Sequence, residues 1–237
     1  MLKSLETVRV ADEPAASLLS ELRAWDGVLT PDSRAAAIYE AFRVALPTLL
    51  FEEWLGPDMF TRYLERSDAW TLTMLRLLTE PSSPWWGAEG RDVVVTRALV
   101  RAEETLRRRL GPNRSRWTWG RLHVMEFEHP FGRIRLLRRF FNAPAPPTGG
   151  DAFTVNNGGF SVRTFRQVVV ASYRQVLDVG EWDRSMAIHT TGQSGLPFHR
   201  HYRDFVVPWA TGQYHTLPFT VLRVREIVES SLTLAPP

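Results

Sequence analysis

The chain has 237 residues, of which 44% are hydrophobic and 23% charged; that composition excludes wholesale disorder, collagen-like repeat and coiled coil, and suits one large domain or two small ones. Its longest apolar runs, 46–51 and 168–171, fall far short of the ~20 residues of a membrane span, and the absence of cysteine removes disulfides, thiol nucleophiles and Cys-ligated zinc. Net charge is +3, but residues 107–139 carry ten basic side chains against two acidic ones, while residues 1–106 carry 11 against 17.

The first ~110 residues carry helical periodicity. Asp12 can cap a helix with apolar positions Leu18, Leu19, Leu22 and Trp25, and Gly27 stops it. Thr30-Pro31 predicts the start of a second helix, with Ile38, Phe42, Ala45, Leu46, Leu49 and Leu50 on its buried face. A kink is expected at Pro47 and an end near Gly56. A shorter helix covers Trp70–Leu78, and another Arg91–Leu110, closed by Gly111-Pro112. Residues 113–133 lose that periodicity, and a small helix is expected at Ile134–Phe141 before the Pro-rich loop 142–150. β-Branched residues predict one or two strands within Phe165–Val179 and another at Ser185–Thr190. A turn at Gly192–Pro197, a helix near Tyr202–Trp209 and an extended tail complete the reading. Residues 1–112 form a helical segment and 113–237 a mixed strand and loop segment, an α+β order rather than βαβ alternation.

Few constellations suggest chemistry directly. Gly192-Gln193-Ser194-Gly195 is close to a nucleophile elbow, but that motif needs glycine two residues after the serine and Leu196 stands there. His199 and His201, two apart, could face one way and bind a metal with Asp204 as third ligand; the bland reading is a polar loop. His123 and His129 flank Glu126 and Glu128 without a helical Glu-x-x-His pair and read as structural. The basic 107–139 segment could bind nucleic acid or another anion, or pair with the acidic N-terminal half. The opening residues lead into no apolar h-region, so no signal peptide is expected in this stretch.

Six ordered blocks carry a stronger signal. They are Leu22-Arg-Ala-Trp25-Asp26-Gly27; Ser115-Arg-Trp117-Thr-Trp119-Gly120-Arg121-Leu-His123 with His129-Pro130; Gly149-Gly150 with Thr154-Val-Asn156; Ser172-Tyr-Arg174-Gln-Val-Leu-Asp178; Thr191-Gly192-Gln193-Ser194-Gly195-Leu-Pro197; and His201-Tyr202 with Asp204, Pro208-Trp209 and Gly212-Gln-Tyr214. Together they resemble the C-terminal part of the β subunit of the penicillin acylase (penicillin amidase) family of N-terminal nucleophile hydrolases. The resemblance implies a portion of an αββα sandwich, with both segments belonging to one larger β-subunit domain. It implies hydrolysis of the amide of an N-acylated small molecule such as a β-lactam or an acyl-homoserine lactone. In that family the α-amino group of an N-terminal serine acts as the base for its own hydroxyl, since an amine of pKa ~8 titrates near working pH.

No such nucleophile is recognised here. Met1 has no hydroxyl, and neither Ser17 after Ala16 nor Ser172 after Ala171 matches the family's cleavage site. The chain is therefore expected to be inactive alone, and its partners are the substrate and the rest of the precursor, the α subunit and the N-terminal part of β. Neither nucleic acid nor membrane is expected as a partner. No cofactor is expected for catalysis, and the ligands of the family's structural calcium belong upstream. A periplasmic or extracellular location follows from the resemblance alone. By block order, Asp178 takes the place of an acid that orients a histidine in the cephalosporin-cleaving members. Trp119, Gly120, Arg121, His123, Gly192, Gln193, Ser194, Gly195, His201, Tyr202 and Asp204 are read as structural: indoles filling the core, and glycines allowing positive φ or close backbone approach.

Overall fold

The computed structural model describes residues 1–235, apart from the side chains of residues 67 and 68. In chain order its elements are α1 (Leu2–Leu5), α2 (Glu13–Arg23), α3 (Arg34–Leu64), α4 (Ser67–Thr79), α5 (Arg91–Leu110), α6 (Trp119–Leu122), β1 (Glu126–Phe127), α7 (Arg138–Phe141), β2 (Ala143–Pro144), β3 (Gly158–Phe160), β4 (Gln167–Val170), β5 (Tyr173–Val176), β6 (Met186–His189), α8 (Val206–Ala210), β7 (His215–Thr216) and α9 (Val221–Ile227). Helices fill the first half and the strands lie in the second, as the sequence implies. The chain folds as two compact units, Met1–Val124 with Pro147–Val170, and Met125–Pro146 with Ala171–Pro237.

The first unit is built on amphipathic helices. Asp12 caps α2, accepting from the Ala15 N–H at 2.9 Å, and Leu18, Leu19 and Leu22 are buried. The cap of α3 is Ser33 rather than Thr30, its hydroxyl accepting from Ala36 N–H at 3.1 Å. The backbone just before it is engaged elsewhere: the Pro31 carbonyl accepts from Gly120 N–H at 2.7 Å. Pro47 lies within the helix and is buried. Packing of Phe42, Leu46 and Leu50 in the core outweighs one lost backbone bond. The break falls at Gly56, with φ 68° and ψ 165°, where the following Pro57 disfavours helical backbone and only glycine takes that φ without strain. α5 matches its predicted bounds, and Val95, Leu99, Ala102 and Leu106 face the same core as Trp70, Met74 and Leu78 of α4. The antiparallel β3–β4 pair completes the unit.

In the second unit β5, β6 and β7 form an antiparallel sheet, with Tyr173 opposite His189 and Met186 opposite Thr216. Its small core gathers Ala187 and Ile188 of β6 with Val206 and Trp209 of α8. The Trp209 indole donates to the Ala171 carbonyl at 2.9 Å, and Phe127 meets it edge-on at 5.4 Å. Three local expectations are corrected here. The helix predicted at 134–141 shrinks to α7, because Ile134 and Leu136 stay exposed and no burial sustains it. The helix predicted at 202–209 is a 3₁₀ turn followed by α8; Arg203, at φ −136° and ψ 6°, interrupts it. The tail is not wholly extended, since Thr220 caps α9.

Candidate functional site

Trp119 and Gly120 sit on α6 and His123 caps its C-terminal end, all in the first unit. Gly120 leaves no room for a side chain: a Cβ would lie 2.6 Å from the Pro147 Cβ and 2.8 Å from that of Pro31. Trp119 and His123 are both fully buried and stack with ring centroids 4.5 Å apart. The indole donates to the Gly150 carbonyl at 2.9 Å. The His123 Nε2 lies 2.8 Å from the Gly158 carbonyl and Nδ1 3.2 Å from that of Thr148. A neutral imidazole donates through one nitrogen only, and burial lowers the pKa of this ring against the two carbonyls and Asp151, which favour protonation. The imidazole therefore works as a buried strut holding the 148–158 segment. Arg121 points outward and donates to the Arg116 carbonyl at 2.9 Å.

Beside this strut lies a cluster that sequence reasoning missed. Glu40 and Arg43, one turn apart on α3, are 0% and 2% exposed, and Asp151 is 4% exposed. Arg43 Nε and Nη2 reach Glu40 Oε2 at 2.8 and 2.6 Å, Nη1 donates to the Thr71 hydroxyl at 2.9 Å, and Asp151 Oδ2 lies 3.6 Å from Nη2. The guanidinium also lies over Trp70, 4.8 Å from its centroid. Burial first, with the Asp151 charge also acting against the favourable Arg43, raises the Glu40 pKa to about 7. The available signal was a Glu-x-x-Arg pair inside an otherwise apolar run. Arg43 and Trp70 also line a pocket of about 400 Å³ with Leu64, Phe160, Val162 and Val169.

The second glycine block lies in the second unit. Gly192 is fixed by close approach, since a Cβ would fall 2.2 Å from the His201 carbonyl oxygen and 2.7 Å from Asp204 Oδ1. Gly195 is not so constrained: its φ is not positive and nothing lies within 4 Å of a Cβ there. Ser194 N–H donates to the His201 carbonyl at 3.0 Å, and its hydroxyl accepts from Leu196 N–H at 3.1 Å. That oxygen closes a local turn. Gln193 lies between Gly192 and Ser194 in the chain. His201 Nδ1 pairs with Asp204 Oδ2 at 2.6 Å, while His199 Nδ1 accepts from His201 N–H at 3.2 Å. Among the described residues no three His, Asp or Glu gather as a metal site would need, so the His199, His201 and Asp204 metal centre is set aside. The Tyr202 hydroxyl donates to the Phe141 carbonyl at 2.6 Å.

Asp178 ends the stretch after β5. Its Oδ1 accepts from Gly180 and Glu181 N–H at 3.0 and 3.1 Å, and Oδ2 lies 3.6 Å from Arg184 Nε. The carboxylate thus organises its own turn. Two of the arginines in the 107–139 segment, Arg107 and Arg114, reach the Glu103 carboxylate at 2.7 and 2.9 Å, and Arg138 pairs with Glu126.

The two glycines give a direct contrast. Gly192→Ala forces a backbone shift and is expected to cost about 1–3 kcal/mol locally, read as roughly tenfold or more faster hydrogen exchange at Ser194 N–H. Gly195→Ala is expected to leave that exchange unchanged.

Compared with known proteins, residues 1–226 match the family model described as penicillin amidase. The chain belongs to the penicillin amidase family. It is 26% identical over 246 residues to the acyl-homoserine lactone acylase QuiP of Pseudomonas aeruginosa, covering 94% of this chain and 29% of that protein. QuiP of Pseudomonas fluorescens Pf0-1 is 30% identical over 234 residues, covering 94% and 28%. The penicillin acylase 2 proenzyme of Pseudomonas sp. SE83 is 28% identical over 214 residues, covering 83% and 26%. The chain therefore spans less than a third of the length of these relatives. Among solved structures, thermostable penicillin G acylase from Alcaligenes faecalis superposes with a TM-score of 0.51 at 15% identity, covering all of this chain and 45% of that one. That likeness shows the fold: a portion of the N-terminal nucleophile hydrolase architecture.

Proposed function

We propose that this penicillin amidase family chain is the C-terminal segment of an amide hydrolase acting on N-acylated small molecules, and that it carries scaffold rather than nucleophile. The observation that carries the reading is the pairing of two facts. The chain matches acylases along nearly its full length yet spans less than a third of each, and its matched motifs are spent on packing and turns. Ser194 closes a turn, and His123 is buried between two carbonyls. The base-bearing serine, the oxyanion donors and the acyl pocket then belong to the remainder of the polypeptide. In this reading Asp178 orients a histidine supplied by that remainder, which requires its Oδ2 to exchange Arg184 for an imidazole.

The test is hydrolysis by the chain as it stands. Incubated with an N-acyl-homoserine lactone and with a phenylacetyl amide, it is expected to give no turnover above the uncatalysed rate. Robust turnover would overturn the scaffold reading. For Asp178, a longer polypeptide containing this chain should lose kcat on Asp178→Asn while KM holds; unchanged kcat would dismiss that role.

A further inference from the structure

The buried cluster on α3 has more acid than its one cation can answer. Glu40 Oε2 takes both Arg43 contacts, while Oε1 is buried and meets no donor among the described residues. Asp151 Oδ1 accepts from Phe153 N–H at 2.8 Å, which leaves Oδ2 on the side of Arg43, at 3.6 Å. Both carboxyl groups converge on the same Arg43 nitrogen, Glu40 Oε2 at 2.6 Å and Asp151 Oδ2 at 3.6 Å from Nη2. Two buried anions there would repel, and Oε1 would stay unsatisfied. A carboxylic acid at Glu40 repairs both faults, because its O–H can donate to Asp151.

We infer that Glu40 and Asp151 hold one proton between them, and that this proton clamps the 147–157 loop onto α3 and releases it on leaving. Protonated, the acid pair and Arg43 sum to zero charge. Deprotonated, they carry one excess buried negative charge. The loop depends on Asp151 in several ways: its carboxylate holds Phe153 N–H, its carbonyl accepts from Gly158 N–H at 2.8 Å, and its own N–H donates to the Thr154 hydroxyl at 2.8 Å. Ala152 of this loop lines the same pocket as Arg43, so releasing the loop changes the pocket wall. The device is a proton-operated latch on that pocket.

The groups facing the pair are Tyr39 and Arg43 from α3 and His123 just after α6, with the neutral Thr71 from α4. Burial, then the Glu40 charge, pushes Tyr39 up to about 12, so it stays neutral. Burial shifts His123 downward, which favours its neutral form. The sign follows from Glu40. Its proton is held more tightly in the folded chain, at about 7 against an ordinary 4.5. The clamp's contribution is full below the ordinary value and is lost as pH rises through about 7.

Hydrogen exchange of the loop amides, corrected for intrinsic rates, tests this. In the wild-type chain, protection of Gly158 and Phe153 N–H is expected to fall about tenfold or more between about pH 6 and about pH 8.5. Glu40→Gln keeps a donor towards Asp151 and removes the proton, so its protection should stay flat across that range. A flat wild-type profile, or an unchanged slope in Glu40→Gln, would overturn the proposal. Infrared spectroscopy of the wild type needs no variant: a buried carboxylic acid C=O band should vanish across the same window, and its absence below neutrality would also overturn it.

Discussion

Replacing Arg43 with methionine is expected to destabilise the first unit by about 3–5 kcal/mol, the range for stripping one partner from a buried ion pair. Methionine fills much of the same volume against Trp70 and Phe160, so packing loss is a minor part. The cost lies in the carboxyls: Glu40 and Asp151 remain at 0% and 4% exposure with no cation beside them. Both are then driven towards the protonated form, and the variant should recover stability as pH falls. Urea unfolding followed by far-UV circular dichroism reads the effect, since the long helices all lie in the first unit. Adding Glu40→Gln to Arg43→Met should restore part of the loss, because it removes a buried charge that no longer has a partner. A double variant no more stable than the single one would show that the guanidinium acts through packing instead.

The features legible in the sequence were those set by neighbouring residues. α2 and α5 announced themselves through an apolar stripe, and α2 added an aspartate cap and α5 a closing glycine. Gly56 marked where the helical backbone is interrupted, although the helix was expected to end there and instead resumes to Leu64. Where tertiary contact decides, the residues misled. The segment 134–141 fails as a helix because Ile134 and Leu136 find nothing to pack on. The motif residues followed the same division. Gly192 was recognisable, but whether close approach or positive φ fixed it depended on the His201 carbonyl, nine residues away. Asp151 lies over 100 residues from Glu40, and no local pattern could pair them. What was visible was the anomaly of Glu40 and Arg43 among Ile38, Ala41, Phe42 and Ala45. Two charges on an apolar face have to be buried together or with a third group.

Trp119→Ala is expected to be at least as damaging as the loss of Arg43. The indole is fully buried, stacks on His123 and meets Phe160 and Phe165 edge-on at 5.3 and 6.4 Å. Removing so large a buried ring costs about 3–5 kcal/mol in transfer and cavity terms. The Gly150 carbonyl, which accepts from the indole N–H, loses its donor, adding about 1–3 kcal/mol if it stays buried. His123 loses the face it stacks on, and with it the restraint that points Nε2 at Gly158 and Nδ1 at Thr148. The damage therefore extends from α6 to the 148–158 segment. Trp119→Phe separates the two contributions: it keeps an aromatic face for His123 but not the N–H, and should cost about 1–3 kcal/mol. Unfolding midpoints for the two variants measure this directly. Should Phe prove as damaging as Ala, the hydrogen bond to Gly150 rather than the buried ring would be what holds α6 in place.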